Sequence, residues 1–198
     1  MKEAATTLAN CCEVQDIRRG SAWVSVTDTP GLYTLVVPTL GRECREWPEG
    51  APNAEVETLT EENSKQGDVV IFTDGSVQRC VKSGGAFSGR VNGVIQREQS
   101  GATGITTSSM CMDMKAITEA LNWFKTVEYQ SAILVTDSMS TLEKVKKHMM
   151  YADWQEAIQS SRLTRIVWIF SPGHAGVQGN KRADKLAGQV ERLEAPCN

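Results

Sequence analysis

The chain has 198 residues, 40% of them hydrophobic and 23% charged, with a formal net charge of −3. That length suffices for one buried core and an appendage, and no run approaches the roughly 20 apolar residues of a membrane helix, so no membrane role is expected. Six cysteines without CxxC or Cys/His ligand spacing, and an N-terminus without the apolar core of a signal peptide, predict an intracellular protein, nuclear or cytoplasmic and not secreted, with reduced thiols.

Residues 1–66 read as an N-terminal extension. Within it, residues 22–26 (AWVSV) and 32–37 (LYTLVV) form the strands of a hairpin around Asp28-Thr29-Pro30-Gly31. The acid-rich tract 41–67, broken by two prolines, reads as a linker or loosely held surface segment. From residue 67 the order is clearer. Residues 69–74 (VVIFTD) are continuously apolar up to their last two residues, as expected for a strand covered on both faces. Strands over 84–91 and 94–99 flank Asn92-Gly93, the strongest two-residue hairpin signal. There follow a helix over 109–124, a strand over 132–137, helical segments over 139–149 and 152–162, a strand over 165–170 and a terminal helix from about 180, with 193–198 as a tail. Three meandering strands followed by alternating helix and strand predict an α/β fold over 67–192, a mixed five-stranded sheet flanked by helices.

Two of the predicted strands end alike, in Thr73-Asp74-Gly75 and Thr136-Asp137-Ser138. If the strands are parallel neighbours, the tips lie about 4.8 Å apart, and two carboxylates that close repel unless a proton or cation sits between them. Each Asp alone reads as well as a turn or cap residue; the matched pair favours the cation. Asp113 is followed at i+3, i+4, i+7 and i+8 by Ala116, Ile117, Ala120 and Leu121, so it lies on the apolar stripe of its helix and faces the sheet. A carboxylate there is costly unless paired or coordinated, although an Asp near a helix start also gains from the dipole. Glu119 belongs to another face. His174 sits in a loop with Gly173, Gly176 and Gly179, before a helix that directs Asn180 and Asp184 from one face. Trp123, Trp154 and Trp168 read as core, Met110, Met112 and Met114 as packing, and Tyr151-Ala152-Asp153 as packing within a helical segment.

The order Thr-Asp-Gly-Ser, an acid on an apolar helix before Lys-Ala-Ile, Thr-Asp-Ser, then His-Ala-Gly…Gly-Asn…Ala-Asp…Leu-Ala resembles type 1 ribonuclease H over about residues 67–190. The short linkage between Asp137 and the last strand looks most like the ribonuclease H domains of non-LTR retrotransposon polyproteins. The resemblance implies a ribonuclease H-like fold and an endonuclease that hydrolyses the RNA strand of RNA–DNA hybrids with two Mg²⁺ ions, Mn²⁺ serving as a substitute. It implies that Asp74 bridges both ions, Asp113 and Asp137 each complete one ion's ligands, and Asp184 closes the site. His174 would assist proton transfer or product release. Ser76, Asn180, Thr107, Ser108 and Ser109 are the implied substrate-contact surface, and a reverse transcriptase or other polyprotein domain is an implied partner.

Three departures from that family bear on function. Asp113 stands where Glu is usual, which withdraws the carboxylate by about 1.3 Å from a metal intolerant of poor geometry. Lys181 stands where an acid is usual, and no basic, Trp-rich protrusion precedes the last strand. Weak autonomous binding with strong salt dependence is therefore expected. The alternative function is a catalytically decayed domain that only binds nucleic acid or serves as structure.

Overall fold

A computed structural model of the chain describes residues 23–25, 31–37, 40–78, 82–103 and 108–192. The strands β3 (Val69–Gln78), β4 (Lys82–Val91) and β5 (Val94–Thr103) form an antiparallel meander. Its tight turn has Asn92 at φ 50° and Gly93 at φ 77°, the backbone an Asn-Gly hairpin turn needs. Beyond β3 lie β6 (Ser131–Thr136) and β8 (Arg165–Phe170), both parallel to it. These are the five strands expected, and their apolar runs are buried because helices cover both faces. Adjacent residues of a strand face opposite sides. Accordingly Gly84 lies against Ala187 of α5 (Gln178–Arg192), while Gly85 lies against Met112 of α2 (Ser109–Phe124).

The N-terminal segments differ from the hairpin expected of them. β1 (Trp23–Ser25) pairs antiparallel with β7 (Met149–Tyr151), and β2 (Tyr33–Val36) pairs parallel with β8, extending the main sheet to six strands in the order β2-β8-β6-β3-β4-β5. Each segment finds a better apolar surface elsewhere than on the other. Trp23 packs edge-on against Tyr151 and Trp154, at ring separations of 4.5 and 5.6 Å, with the Lys144 ammonium 4.3 Å above its ring. β2 covers the otherwise open edge of β8, a liability for any sheet.

The tract expected to be a linker is also ordered. A 3-10 turn (Arg42–Glu46) buries Cys44, and α1 (Ala51–Asn63) buries Val56 and Leu59. Proline at the start of α1 supplies a preset φ where no N–H partner is lost. The Arg165 guanidinium donates to the Asn63 carbonyl at 2.7 Å and to the Asp68 carboxylate at 2.9 Å, which ties α1 to the roots of β8 and β3.

Between β6 and β8 the helices are shorter than predicted. α3 (Met139–Lys146) stops before His148, whose φ is 55°, and β7 intervenes before α4 (Ala152–Gln159). Tyr151 is thus a strand residue, while Ala152 and Asp153 open the helix that follows. Trp154 and Trp168 are core, as expected, with Trp123 half-buried beside Phe87, Phe124 and Tyr129. Met112 and Met114 are packed, but Met110 is 46% exposed because it falls on the outer side of the first turn of α2. No helix among the described residues is long and apolar enough to cross a membrane.

Candidate active site

The register of the parallel pair β3/β6 sets Thr73 opposite Thr136. The next residue after each is an aspartate: Asp74 stays within β3, which runs on past the expected end at 74 to Gln78, while Asp137 directly follows the end of β6, which sets the two acids side by side. A third acid arrives from α2, whose first turn is capped by Ser108 accepting from the Cys111 N–H at 3.3 Å. The helix reaches β3 only because glycines line its path. A Cβ on Gly75 would lie 2.5 Å from the Asp113 nitrogen and 2.6 Å from its Oδ1, and one on Gly85 would lie 2.7 Å from the Met112 carbonyl oxygen. Asp74 and Asp113 are 7% and 8% exposed. One carboxylate oxygen from each of Asp74, Asp113 and Asp137 lies within 4.8 Å of the others.

The electrostatics follow from this crowding. Burial, then the charges of Asp137, Asp113 and Asp184, push the Asp74 carboxyl up to about 8. Burial and Asp137 push Asp113 to about 7, against the pull of a hydrogen bond with the Gly75 backbone. Asp137 is raised by burial, while the charges of His174 and Arg45 oppose the rise. Three converging carboxylates, all pushed upward, make a site short of positive charge. An all-oxygen, acidic donor set of this kind fits a hard divalent cation such as Mg²⁺. Asn180 supports that fit independently: it is 4% exposed, its Oδ1 has no hydrogen-bond partner, and it lines a small pocket with Asp74, His174, Lys181 and Asp184.

The structure therefore brings Asp74, Asp113 and Asp137 together, with Asp184 half-buried on α5 across the pocket from them. His174 is exposed at the pocket mouth with φ 57°. Asn180 and Asp184 share the face predicted for them. Glu119 is held by Gln99 at 2.9 Å, away from the cluster. Ser76 lies half-buried on β3, two residues beyond Asp74, while Ser108 and Ser109 are exposed at the start of α2. Thr107 lies outside the described residues. Sequence reasoning missed Arg45, whose charge reaches Asp137 from the 3-10 turn. It also missed Gly173, where a Cβ would strike the Asp137 carboxylate. Glycine in a loop beside a candidate histidine was a readable signal for the second; one of two arginines in an acidic tract gave none for the first.

Comparison with known proteins adds an independent line. A family model for RNase H matches residues 66–192. Ribonuclease H of Cupriavidus pinatubonensis is 31% identical over 140 residues, covering 61% of this chain and 92% of its own length. Ribonuclease H of Thiobacillus denitrificans is 32% identical over 141 residues, covering 61% and 91%. Among solved structures, the N-terminal RNase H domain of rv2228c from Mycobacterium tuberculosis superimposes with a TM-score of 0.52 at 19% identity, over 63% of this chain and 94% of that one. LC11-RNase H1, solved in complex with an RNA/DNA hybrid, gives 0.52 at 16% identity, over 62% and 95%. At those identities the structural likeness speaks for the fold.

Proposed function

The chain belongs to the RNase H family, and we propose that it is a metal-dependent endonuclease that hydrolyses the RNA strand of RNA–DNA hybrids. The observation that carries this reading is the convergence of Asp74, Asp113 and Asp137 within 4.8 Å, where β3 runs past the end of its parallel neighbour β6 beside the first turns of α2. Divalent cations bound there, Mg²⁺ or Mn²⁺, would lower the pKa of an attacking water and offset charge on the leaving oxygen. The chain's own contribution is placement. Asp74, which feels the charges of all three other acids, would serve both ions, and Asp113 and Asp137 would each hold one. Asp184, across the pocket, would close the site. His174 stands exposed at its mouth, where its imidazole would carry a proton to or from the reacting oxygens. Asn180 presents an unpartnered carbonyl oxygen to the same space, suited to a ribose hydroxyl or a bound water. Ser76, Ser108 and Ser109 flank the acids as further substrate contacts.

The rival reading, a decayed domain that keeps the fold alone, leans on Asp113 in place of Glu and on Lys181. The Gly75 contact weighs against it, because α2 sits close enough for the shorter side chain to reach the cluster. Descent from a retroelement, with a reverse transcriptase or another polyprotein domain as partner, is supported by the short linkage from Asp137 to β8. Cleavage of a labelled RNA–DNA hybrid in Mg²⁺ and in Mn²⁺ tests the function. Loss of only the RNA strand, abolished in Asp74→Asn, is expected; a folded protein inert with both metals would establish the rival.

A further inference from the structure

Besides Lys181, which lines the pocket from α5, a second cationic side chain among the described residues lies beside the acids, and it comes from the segment that precedes residues 66–192. Arg45 is the sole basic residue between positions 43 and 64, a stretch otherwise rich in acids. A Cβ placed on Gly173 would meet the Asp137 carboxylate on one side and, at 3.4 Å, an Arg45 guanidinium nitrogen on the other. The guanidinium therefore lies at the rim of the cluster. It makes no ion pair within 4.0 Å among the described residues, and the residue is exposed, so no carboxylate of the described residues takes up its donors beside Gly173. Its backbone is fixed. Cys44 within the turn and Leu40 just before it are buried, and the Val37 N–H donates to the Trp168 carbonyl at 2.9 Å, continuing the β2/β8 pairing toward the turn. From the other flank, Asn53 of α1 accepts from the Gln178 N–H at 2.8 Å, which clamps the start of α5 to the same segment.

We propose that Arg45 is a substrate-positioning residue, its guanidinium holding a phosphodiester of the hybrid backbone at the Asp137 edge of the acid cluster. This rests on the hybrid-cleaving reading above. A planar, always-charged fork suits non-bridging phosphate oxygens. A direct ion pair with Asp137 would have occupied those donors; the absence of one leaves them available. The segment that carries Arg45 thereby adds to the substrate surface from outside residues 66–192.

The test measures binding apart from turnover. Full-length wild type, Arg45→Ala and Arg45→Lys are titrated with a fluorescein-labelled RNA–DNA hybrid in Ca²⁺, over a range of KCl concentrations, and cleavage is followed separately in Mg²⁺. Arg45→Ala should bind about tenfold more weakly, and the slope of log affinity against log salt should fall by about one. In Mg²⁺ its KM should rise more than its kcat falls. Arg45→Lys should restore the slope but only part of the affinity. A merely structural role would lower the melting temperature without moving the slope, and that result overturns the proposal. So does an Arg45→Ala protein that binds hybrid with unchanged affinity and slope, or that gains metal affinity alone, which would make Arg45 a counter-ion of Asp137. A wild type that binds but does not cleave would remove the parent reading while the salt slopes still judge Arg45; a wild type that binds no hybrid would remove both.

Discussion

Asp74→Asn should make the metal-free protein more stable, and more so as pH rises. The Asp74 carboxyl moves from 3.8 to about 8, and Asp113 to about 7. The folded protein thus keeps protons that the unfolded chain has already released, and folding takes up protons between about pH 4 and 8. Stability then falls as pH climbs through that window, since the slope follows the difference in bound protons between the unfolded and folded states. At about 1.4 kcal/mol per pH unit, Asp74 alone sets a ceiling near 5 kcal/mol at pH 8. The repulsion is shared with Asp113, Asp137 and Asp184, and relaxation absorbs part of it, so roughly 2–3 kcal/mol of relief is expected from the neutral amide. For a chain of this size that corresponds to about 5–10 °C in Tm. Calorimetry of both proteins in EDTA at pH 5 and pH 8 provides the assay. The gap should be largest at pH 8 and shrink at pH 5. Saturating Mg²⁺ should raise the wild-type Tm and leave the variant nearly unmoved. A flat wild-type Tm from pH 5 to 8 in EDTA, or a variant less stable at pH 8, would refute the reasoning.

Gly75→Ala would force a methyl against the Asp113 backbone and carboxylate. We expect a loss of about 1–3 kcal/mol, read by urea denaturation, with cleavage lost beyond what the folded fraction explains. Trp154→Ala removes a fully buried indole that stacks on Trp168 and donates to Thr118 at 2.8 Å. It should cost about 3–5 kcal/mol by the same assay and leave kcat of the folded protein unchanged. Deleting residues 1–66 strips away buried Leu40, Val56 and Leu59, at about 1.5–3 kcal/mol apiece, against a typical total of about 5–15 kcal/mol. The truncated protein should melt far lower and associate through the bared edge of β8, as size-exclusion chromatography and thermal scans would report; a monomer with the full-length Tm would contradict the packing described here.

The cluster was legible because each of its acids sits where local sequence is most informative. Asp74 and Asp137 terminate continuous apolar runs that can only be buried strands. Asp113 interrupts a helical stripe whose other members are Ala and aliphatic residues, and their pairing in space followed from sheet topology. The N-terminal segment was illegible for the complementary reason. β2 owes its place to β8, some 130 residues further along the chain, and no pattern internal to residues 33–36 specifies a parallel partner. In α1 the buried stripe amounts to Pro52, Val56 and Leu59, set among four acids and two amides, with Glu57, Glu61 and Glu62 exposed. Its composition reads as a linker although Gly50-Ala51-Pro52 is a sound helix start. Such a helix is stabilised by what it covers, not by its own sequence. The same holds for Arg45, whose significance lies wholly in the loop it faces: a short acidic stretch held down at Leu40, Cys44, Val56 and Leu59 is a rigid arm. A cation on a rigid arm reaches a fixed point, and for Arg45 that point lies beside Asp137.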